Sequence, residues 1–305
     1  MTQKSLSRPV VFVLAMSLSG AAAAAPTENA GSISVNLGMD WTNKYYFRGI
    51  VQETDGLTLQ PYFNTRLTFY QSEERALSSV ALTIGLWNSL HTGPSGTGAP
   101  DLGSETAGLQ TADPKAWYES DLSAALSVGL LRVLSLALTY TAYMSPNKAF
   151  GTTHELAVGA GYDDSSLYSR VLGGRFGGLQ PSVALAFELE GGAMGEPGSF
   201  IALGVSPAVT LLDAAAVALT AGVPVELGLG LGDYYDAPDA GSRDTFGYLT
   251  AGATVGVGLK LIPRRLGTWE VKGSAKVLVL GDVLQAANND RRAELVAAAG
   301  LGIGY

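Results

Sequence analysis

From Glu294 to Tyr305 the chain alternates without interruption. Leu295, Ala297, Ala299, Leu301, Ile303 and Tyr305 make one apolar row; Glu294, Val296, Ala298, Gly300, Gly302 and Gly304 make the other, mostly of very small residues. Successive side chains of a strand point to opposite faces, so a period of two means a strand. Two kinds of strand carry one greasy face: an edge strand of a β-sandwich, and a wall strand with that face against an apolar medium. An aromatic residue at the very end fits the second kind, the closing strand of an outer-membrane β-barrel, whose end the barrel-assembly machinery reads.

The same alternation recurs along the chain, around residues 33–41, 57–69, 80–86, 119–128, 134–141, 156–162, 182–190, 201–205, 217–226, 248–261 and 269–279. With the last segment this predicts an all-β, antiparallel, up-and-down transmembrane β-barrel of about 12 strands. The glycine-rich stretch Tyr168 to Pro181 reads as an extra strand, a turn or a plug, so 10 to 14 strands are possible. An even count returns both termini to one side, the periplasmic one. The connections alternate too. Those at 71–76, 129–132, 163–166 and 263–267 are short; those at 91–114, 191–199 and 228–244 are long and rich in Gly, Pro and Asp, as barrel turns and outer loops are. Aromatic residues fall near the strand ends, where amphipathic rings favour the headgroup level. Phe69, Tyr162, Trp269 and Tyr305 are expected in a periplasmic girdle, and Tyr45, Tyr118 and Tyr140 in an outer one.

The beginning of the chain reads as an export signal. Lys4 and Arg8 precede the apolar run Val10 to Leu18, and small residues up to Ala25 precede Pro26. That order is a cleavable leader, 1–25, followed by a single barrel domain, 26–305. The leader carries two of the 19 basic residues and none of the 27 acidic ones, so a net charge of -8 becomes -10. Such a chain has no electrostatic reason to bind nucleic acid. Charged residues are only 15% and glycines number 39. Those proportions suit a barrel with apolar residues toward lipid and small ones inward. Cysteine is absent, which removes disulfides and thiolate metal sites from consideration.

Running the strands alternately up and down gives the inward charges an axial order. Glu119, Asp121, Glu155, Glu188, Glu190 and Glu226 fall toward the outer mouth; Lys260, Glu270, Lys272 and Lys276 fall in the periplasmic half, with Arg66 midway. An acidic vestibule concentrates cations, and lysines deeper in oppose their free flow. The expectation is at most a mild cation preference for small polar solutes; the alternative is a closed interior of internal salt bridges. Gly, Ala, Ser and Thr dominate the inward rows, which leaves room for a narrow water path at this barrel size.

Trp41 to Gln52 reads WTNKYYFRGIVQ. It resembles the T-x-x-Y-x-F-R-G-I-x-Q signature near the start of TorF-type porins of Gram-negative bacteria. Weaker echoes follow at Trp117 to Asp121, Ser145 to Phe150, His154 to Leu156 and Tyr162 to Ser165. The resemblance implies an outer-membrane barrel and names no solute. Within the signature, Gly49 permits a tight turn. Arg48 offers a planar, permanently charged donor fork, as a clamp to an acid on the lumen wall or as a solute ligand.

Enzymatic signatures are missing. His91 and His154 lie outside any H-E-x-x-H pattern, and there is no G-x-S-x-G elbow. His154 with Ser165 or Ser166 would be the pair for a lipid-modifying enzyme, but the serines fall at the other end of the strand. Asp233, Asp236, Asp239 and Asp244 lack calcium-loop spacing. The expectation is therefore a passive outer-membrane porin or channel, in contact with outer-membrane lipid and without cofactor. The alternative is a closed structural barrel whose outer loops bind partners.

Overall fold

The computed structural model describes residues 32–54, 56–93, 116–172, 174–232, 234–237 and 242–305. The expected leader 1–25, most of the 91–114 loop, Asp233 and Asp239 lie outside the described residues. The strands are β1 (Ile33–Thr42), β2 (Tyr45–Phe47), β3 (Ile50–Glu53), β4 (Thr58–Gln71), β5 (Leu77–His91), β6 (Trp117–Leu130), β7 (Leu134–Met144) and β8 (Thr153–Tyr162). After α1 (Ser165–Leu172) come β9 (Ser182–Glu190), β10 (Ser199–Val205), β11 (Ala208–Asp213), β12 (Val217–Gly222) and β13 (Val225–Leu231). The small β14 (Asp236–Ala237) and β15 (Ser242–Arg243) precede β16 (Phe246–Leu259), β17 (Thr268–Leu280), α2 (Asp282–Ala287) and β18 (Ala293–Gly304).

The sheet closes on itself. β1 pairs with β4 on one side and with β18 on the other, from Asn36↔Gly304 to Thr42↔Ala298, and all pairings around the wall are antiparallel. The wall has twelve strands. β10 and β11 form one of them, interrupted at Pro207, and β12 and β13 form the next, interrupted at Pro224. Proline has no N–H to give the ladder. The two breaks lie opposite each other, and the Val223 amide bonds the Pro207 carbonyl across them at 2.9 Å. Pairing thus continues past Val205 and Glu226, where the alternation alone ended these strands.

The rows face as their alternation predicts. Ile84, Leu126, Leu138, Val158, Val277 and Leu295 are exposed on the outside, whereas Thr83, Thr139, Glu155 and Glu294 are buried on the inside. An outer belt this apolar has no place in water. None of the described helices is long and apolar enough to cross a membrane.

The end where β1 starts and β18 finishes (the near end) carries the connections 72–76, 131–133, 214–216 and 260–267. It also carries the longer one at 163–181. That segment is neither a wall strand nor a plug. After α1 it runs along β11, with Phe176 bridging Val209 and the Gly177 amide bonding the Ala208 carbonyl at 2.8 Å. It covers an edge that the short β9 leaves unpaired. The expected short turn at 163–166 is therefore the start of a longer, partly helical connection.

Two aromatic expectations are corrected. Tyr45 and Tyr118 lie at the far end but are buried inside the barrel, not in an outer girdle. Tyr45 belongs to β2, which leaves the wall, and Tyr118 falls on the inward row of β6. Trp117 is exposed beside it instead, as are Tyr140 and the near-end Phe69, Tyr162 and Tyr305.

Leu138 stands halfway along β7, whereas Leu261 follows the end of β16. Leu138→Arg is expected to cost about 2–4 kcal/mol and Leu261→Arg about 0–1 kcal/mol. Equilibrium denaturant unfolding from lipid vesicles checks the difference; equal costs would remove the belt from its assigned position.

Candidate functional site

The chemistry gathers at the far end, where β1 passes into β2. Residues 45–53 do not continue the wall. β2 and β3 form a hairpin with Phe47 paired to Ile50, and its turn is Arg48-Gly49, with φ of +49° and +81°. Two consecutive left-handed residues suit a two-residue hairpin turn, and glycine suits the second position. Space adds a second constraint: a Cβ on Gly49 would come within 2.6 Å of Leu284 Cδ1. The entry is stitched to β18. The Asn43 amide bonds the Ala297 carbonyl at 3.1 Å, the Ala297 amide returns to Asn43 Oδ1 at 2.8 Å, and Lys44 pairs with Glu294.

Arg48 carries the tip across to the opposite wall. Its guanidinium donates in a bidentate fork to Glu155 on β8, Nη1 to Oε2 at 2.6 Å and Nη2 to Oε1 at 2.9 Å. Nη1 also donates to the Tyr234 hydroxyl at 3.1 Å. The guanidinium lies 4.4 Å from the centre of the Phe200 ring and 5.0 Å from that of Phe47. Tyr143 adds a hydrogen bond to Glu155 Oε1 at 3.2 Å, and the Tyr235 hydroxyl donates to the Arg48 carbonyl at 2.9 Å. Charged partner, hydrogen bonds and rings together hold a non-glycine residue at positive φ, a conformation costing about 1–3 kcal/mol on its own.

Around this tip the lumen is filled. Ile50, Phe200, Tyr234, Tyr235, Tyr248, Leu278, Leu280 and Leu284, with Ala157 and Ala186, form one buried cluster, reaching the hairpin, five wall strands, a loop and α2. Inward glycines make room for the rings. A Cβ on Gly230 would come within 2.6 Å of the Tyr235 ring, and one on Gly198 within 2.7 Å of Tyr234. The small inward residues at this level thus accommodate tyrosines from elsewhere in the chain.

On the hairpin's other side β3 meets β5. Glu53 Oε2 lies 3.4 Å from His91 Nδ1, and His91 Nε2 lies 2.9 Å from Ser89 Oγ. The order Ser-His-Glu is that of an acyl-transfer triad. Each of the three is at most 1% exposed, and Tyr118 stacks on the imidazole at 4.3 Å. With no room for an acyl group at Ser89, the trio is a polar strut between hairpin and wall. His154 instead bonds the Tyr140 hydroxyl at 2.7 Å on the outer face, far from Ser165 and Ser166 on α1 at the near end.

The remaining sequence candidates separate by height. Glu119 and Asp121 are buried on the inner face of β6 at hairpin level, and Glu119 Oε2 accepts from the Tyr45 hydroxyl at 2.6 Å. Glu188 accepts the amides of Ala193 and Gly198 at 2.9 and 2.8 Å. Glu226 accepts from Tyr248 at 2.6 Å. Glu190 is exposed beyond a register shift at the end of β9. Lower in the barrel, Lys272 meets Asp40 at 3.1 Å and the Tyr62 hydroxyl at 3.1 Å, and Arg66 donates to Ser127 at 3.2 Å. Lys276 is half-buried on the inward row of β17. Lys260 follows β16 at the near rim, exposed and paired with Asp213. A cavity remains beside the hairpin at the far mouth, lined by Phe47, Gln52, Glu119, Tyr143, Phe150 and Glu188 among others. Among the described residues no cluster of three metal-ligating side chains occurs.

Glu53, His91, Tyr143, Phe200, Tyr234 and Tyr235 had no signal as site residues in the alternation. The pair Tyr234-Tyr235 in a glycine-rich loop is the nearest to one.

No family model and no curated protein matches the chain. Solved structures do. An outer-membrane channel from Pseudomonas putida F1 is 11% identical, over 90% of this chain and 94% of that one, at a TM-score of 0.47. The β domain of the Bordetella autotransporter BrkA is 10% identical, over 90% and 99%, at 0.43. The NanC porin is 8% identical, over 89% and 98%, at 0.37.

Replacing Arg48 by Met leaves Glu155 buried without its cation, an error of about 3–5 kcal/mol. Amide hydrogen exchange is expected to show lost protection across Tyr45–Glu53 while β6 and β7 stay protected. Unchanged protection of the hairpin would mean that the pair does not hold it.

Proposed function

We propose that the chain is a porin-like channel of the bacterial outer membrane, held closed at its far mouth by the β2–β3 hairpin and admitting small polar solutes when the hairpin yields. The observation that carries this reading is the contrast between the two faces of one closed wall: an apolar belt outside, and inside a ladder of polar and charged groups from Arg66 and Lys272 up to Glu188 and Glu119. The resemblance of Trp41–Gln52 to TorF-type porins supports the same location, as does the exported-protein leader. The near end then faces the periplasm.

A second reading is favoured by the hairpin itself. The lumen is filled at its level, which suits a closed structural barrel presenting its far loops to partners. In the channel reading the hairpin is a gate, because the wall is continuous without it and its tip is held from the opposite wall by the Arg48–Glu155 pair, the Tyr234 and Tyr235 hydroxyls and the Phe200 ring.

Single-channel recording in planar bilayers separates the two. The native chain is expected to show low or intermittent conductance. A variant with residues 45–53 replaced by a short Gly-Ser linker is expected to conduct severalfold more, with a mild cation preference under a salt gradient. Silence from both, in protein shown to be folded by heat-modifiable gel migration, would leave the structural barrel.

A further inference from the structure

We propose that the far-mouth cavity is a binding site for a small organic monocation, an alkyl- or arylammonium head seated between the rings of Phe47, Tyr143 and Phe150 and the carboxylates of Glu119 and Glu188. This rests on the channel reading, since it names the solute class that the mouth selects.

Charge balance is the first argument. Four inward carboxylates, Glu119, Asp121, Glu155 and Glu188, cluster at and beneath this cavity, and all four are buried. Arg48 is committed to Glu155 by its bidentate fork. None of the ion pairs among the described residues reaches Glu119, Asp121 or Glu188. Buried charges are stable when paired and costly otherwise. Two backbone amides serve Glu188, and the Tyr45 hydroxyl serves Glu119. Glu119 and Asp121 also hydrogen-bond each other and so share a proton, which leaves Glu155, Glu188 and that pair against the single Arg48.

The second argument is an orphaned atom. Asp121 is two residues along the inward row from Glu119 and directly opposite Tyr143 in the β6–β7 pairing, so it neighbours two lining residues of the cavity without lining it itself. Its Oδ1 is buried and has no hydrogen-bond partner. The Asp121 side chain hydrogen-bonds Glu119, which leaves Oδ1 as one acceptor open to a further donor.

The lining decides which cation. Calcium and magnesium require six or more oxygen ligands in a shell, but three of the lining groups here are aromatic rings, with Phe47 and Tyr143 edge to face at 5.2 Å. Ring faces attract an ammonium or guanidinium group and pack against the carbon attached to it. The cavity measures about 70 Å³, enough for an ammonium head with a short chain. Anions are excluded by the same carboxylates.

The test is equilibrium binding to the refolded full chain in detergent, by isothermal titration, with three probes of one size: n-propylammonium, 1-propanol and propionate. The ammonium is expected to bind at least tenfold more tightly than either of the others. Glu119→Gln and Asp121→Asn are each expected to weaken it severalfold. Phe150→Leu, on the loop after β7 and outside the wall, is expected to do the same and serves if the carboxylate variants do not fold. Equal binding of propanol and propylammonium, or an affinity indifferent to Glu119→Gln and Phe150→Leu, overturns the proposal. Because binding is read without current, its failure is separable from that of the channel reading. Conductance without ammonium preference sinks the cation site alone. Ammonium binding to a barrel that never conducts sinks the channel and leaves a ligand-binding barrel.

Discussion

Closure of the sheet is the constraint from which the rest follows. A wall strand against lipid cannot leave an amide or carbonyl unpaired, because no water is there to satisfy it. The seam between β1 and β18 therefore has to pair along its length, and at its very end Val35 and Tyr305 exchange both backbone bonds, at 2.6 and 2.7 Å. Once the seam exists, side chains have two destinations, the outer belt or the lumen. Departures from the ladder are tolerated where another segment covers the gap. The proline breaks at Pro207 and Pro224 face one another, and the unpaired edge of β11 is taken by residues 175–179.

A closed wall of twelve strands creates a second problem, which is what to do with its inside. At this circumference inward side chains do not meet in the middle as they do in an eight-stranded barrel, nor is the lumen as wide as that of a sixteen-stranded one. This chain treats the two ends differently. The near half carries separated polar pairs such as Lys272–Asp40. The far half is built like the core of a water-soluble domain, with tyrosines nested over glycines and a hairpin inserted as an extra layer. The polar groups that the hairpin brings are set against wall residues one by one: Arg48 is hydrogen-bonded to Glu155 and Tyr45 to Glu119, and Glu53 lies 3.4 Å from His91. Such matching makes displacement of the hairpin an all-or-none event, since moving one contact strands the partner of the next.

Period-two alternation made the wall legible from the residues alone, because each wall strand separates two unlike media and hydropathy records the difference. The inward placement of Glu119, Asp121, Glu155 and Glu188 was readable for the same reason. The hairpin was not. Both of its faces are buried within protein, so the run YYFRGIVQE shows no contrast between rows and merges with β1 before it. Arg48 and Gly49 signal a tight turn, but nothing local says that the turn points inward. The Tyr45 and Tyr118 expectations failed through this blind spot: an aromatic residue at a strand end is equally suited to a headgroup girdle and to a buried lumen, and only the register across β2 and β6 separates them. Tyr234 and Tyr235 were beyond reach because their partners, Arg48 and Phe200, are distant in sequence.

On the proposed channel reading, the charge distribution ties the plug to what crosses it. A hairpin meant solely to seal a barrel is most stable with apolar residues on both faces, since replacing buried ion pairs by well-packed hydrophobes is commonly neutral or favourable. Here the plug is apolar toward α2 and β17, where Ile50 meets Leu280 and Leu284, but acidic toward β6, β8 and β9, where the carboxylates outnumber Arg48. The excess negative charge sits on the side where the cavity opens. A seal would gain stability by losing it. A mouth that must loosen its plug when a cation arrives needs both halves of this arrangement: a hydrophobic hinge side that stays packed, and a charged side whose pairing is left incomplete.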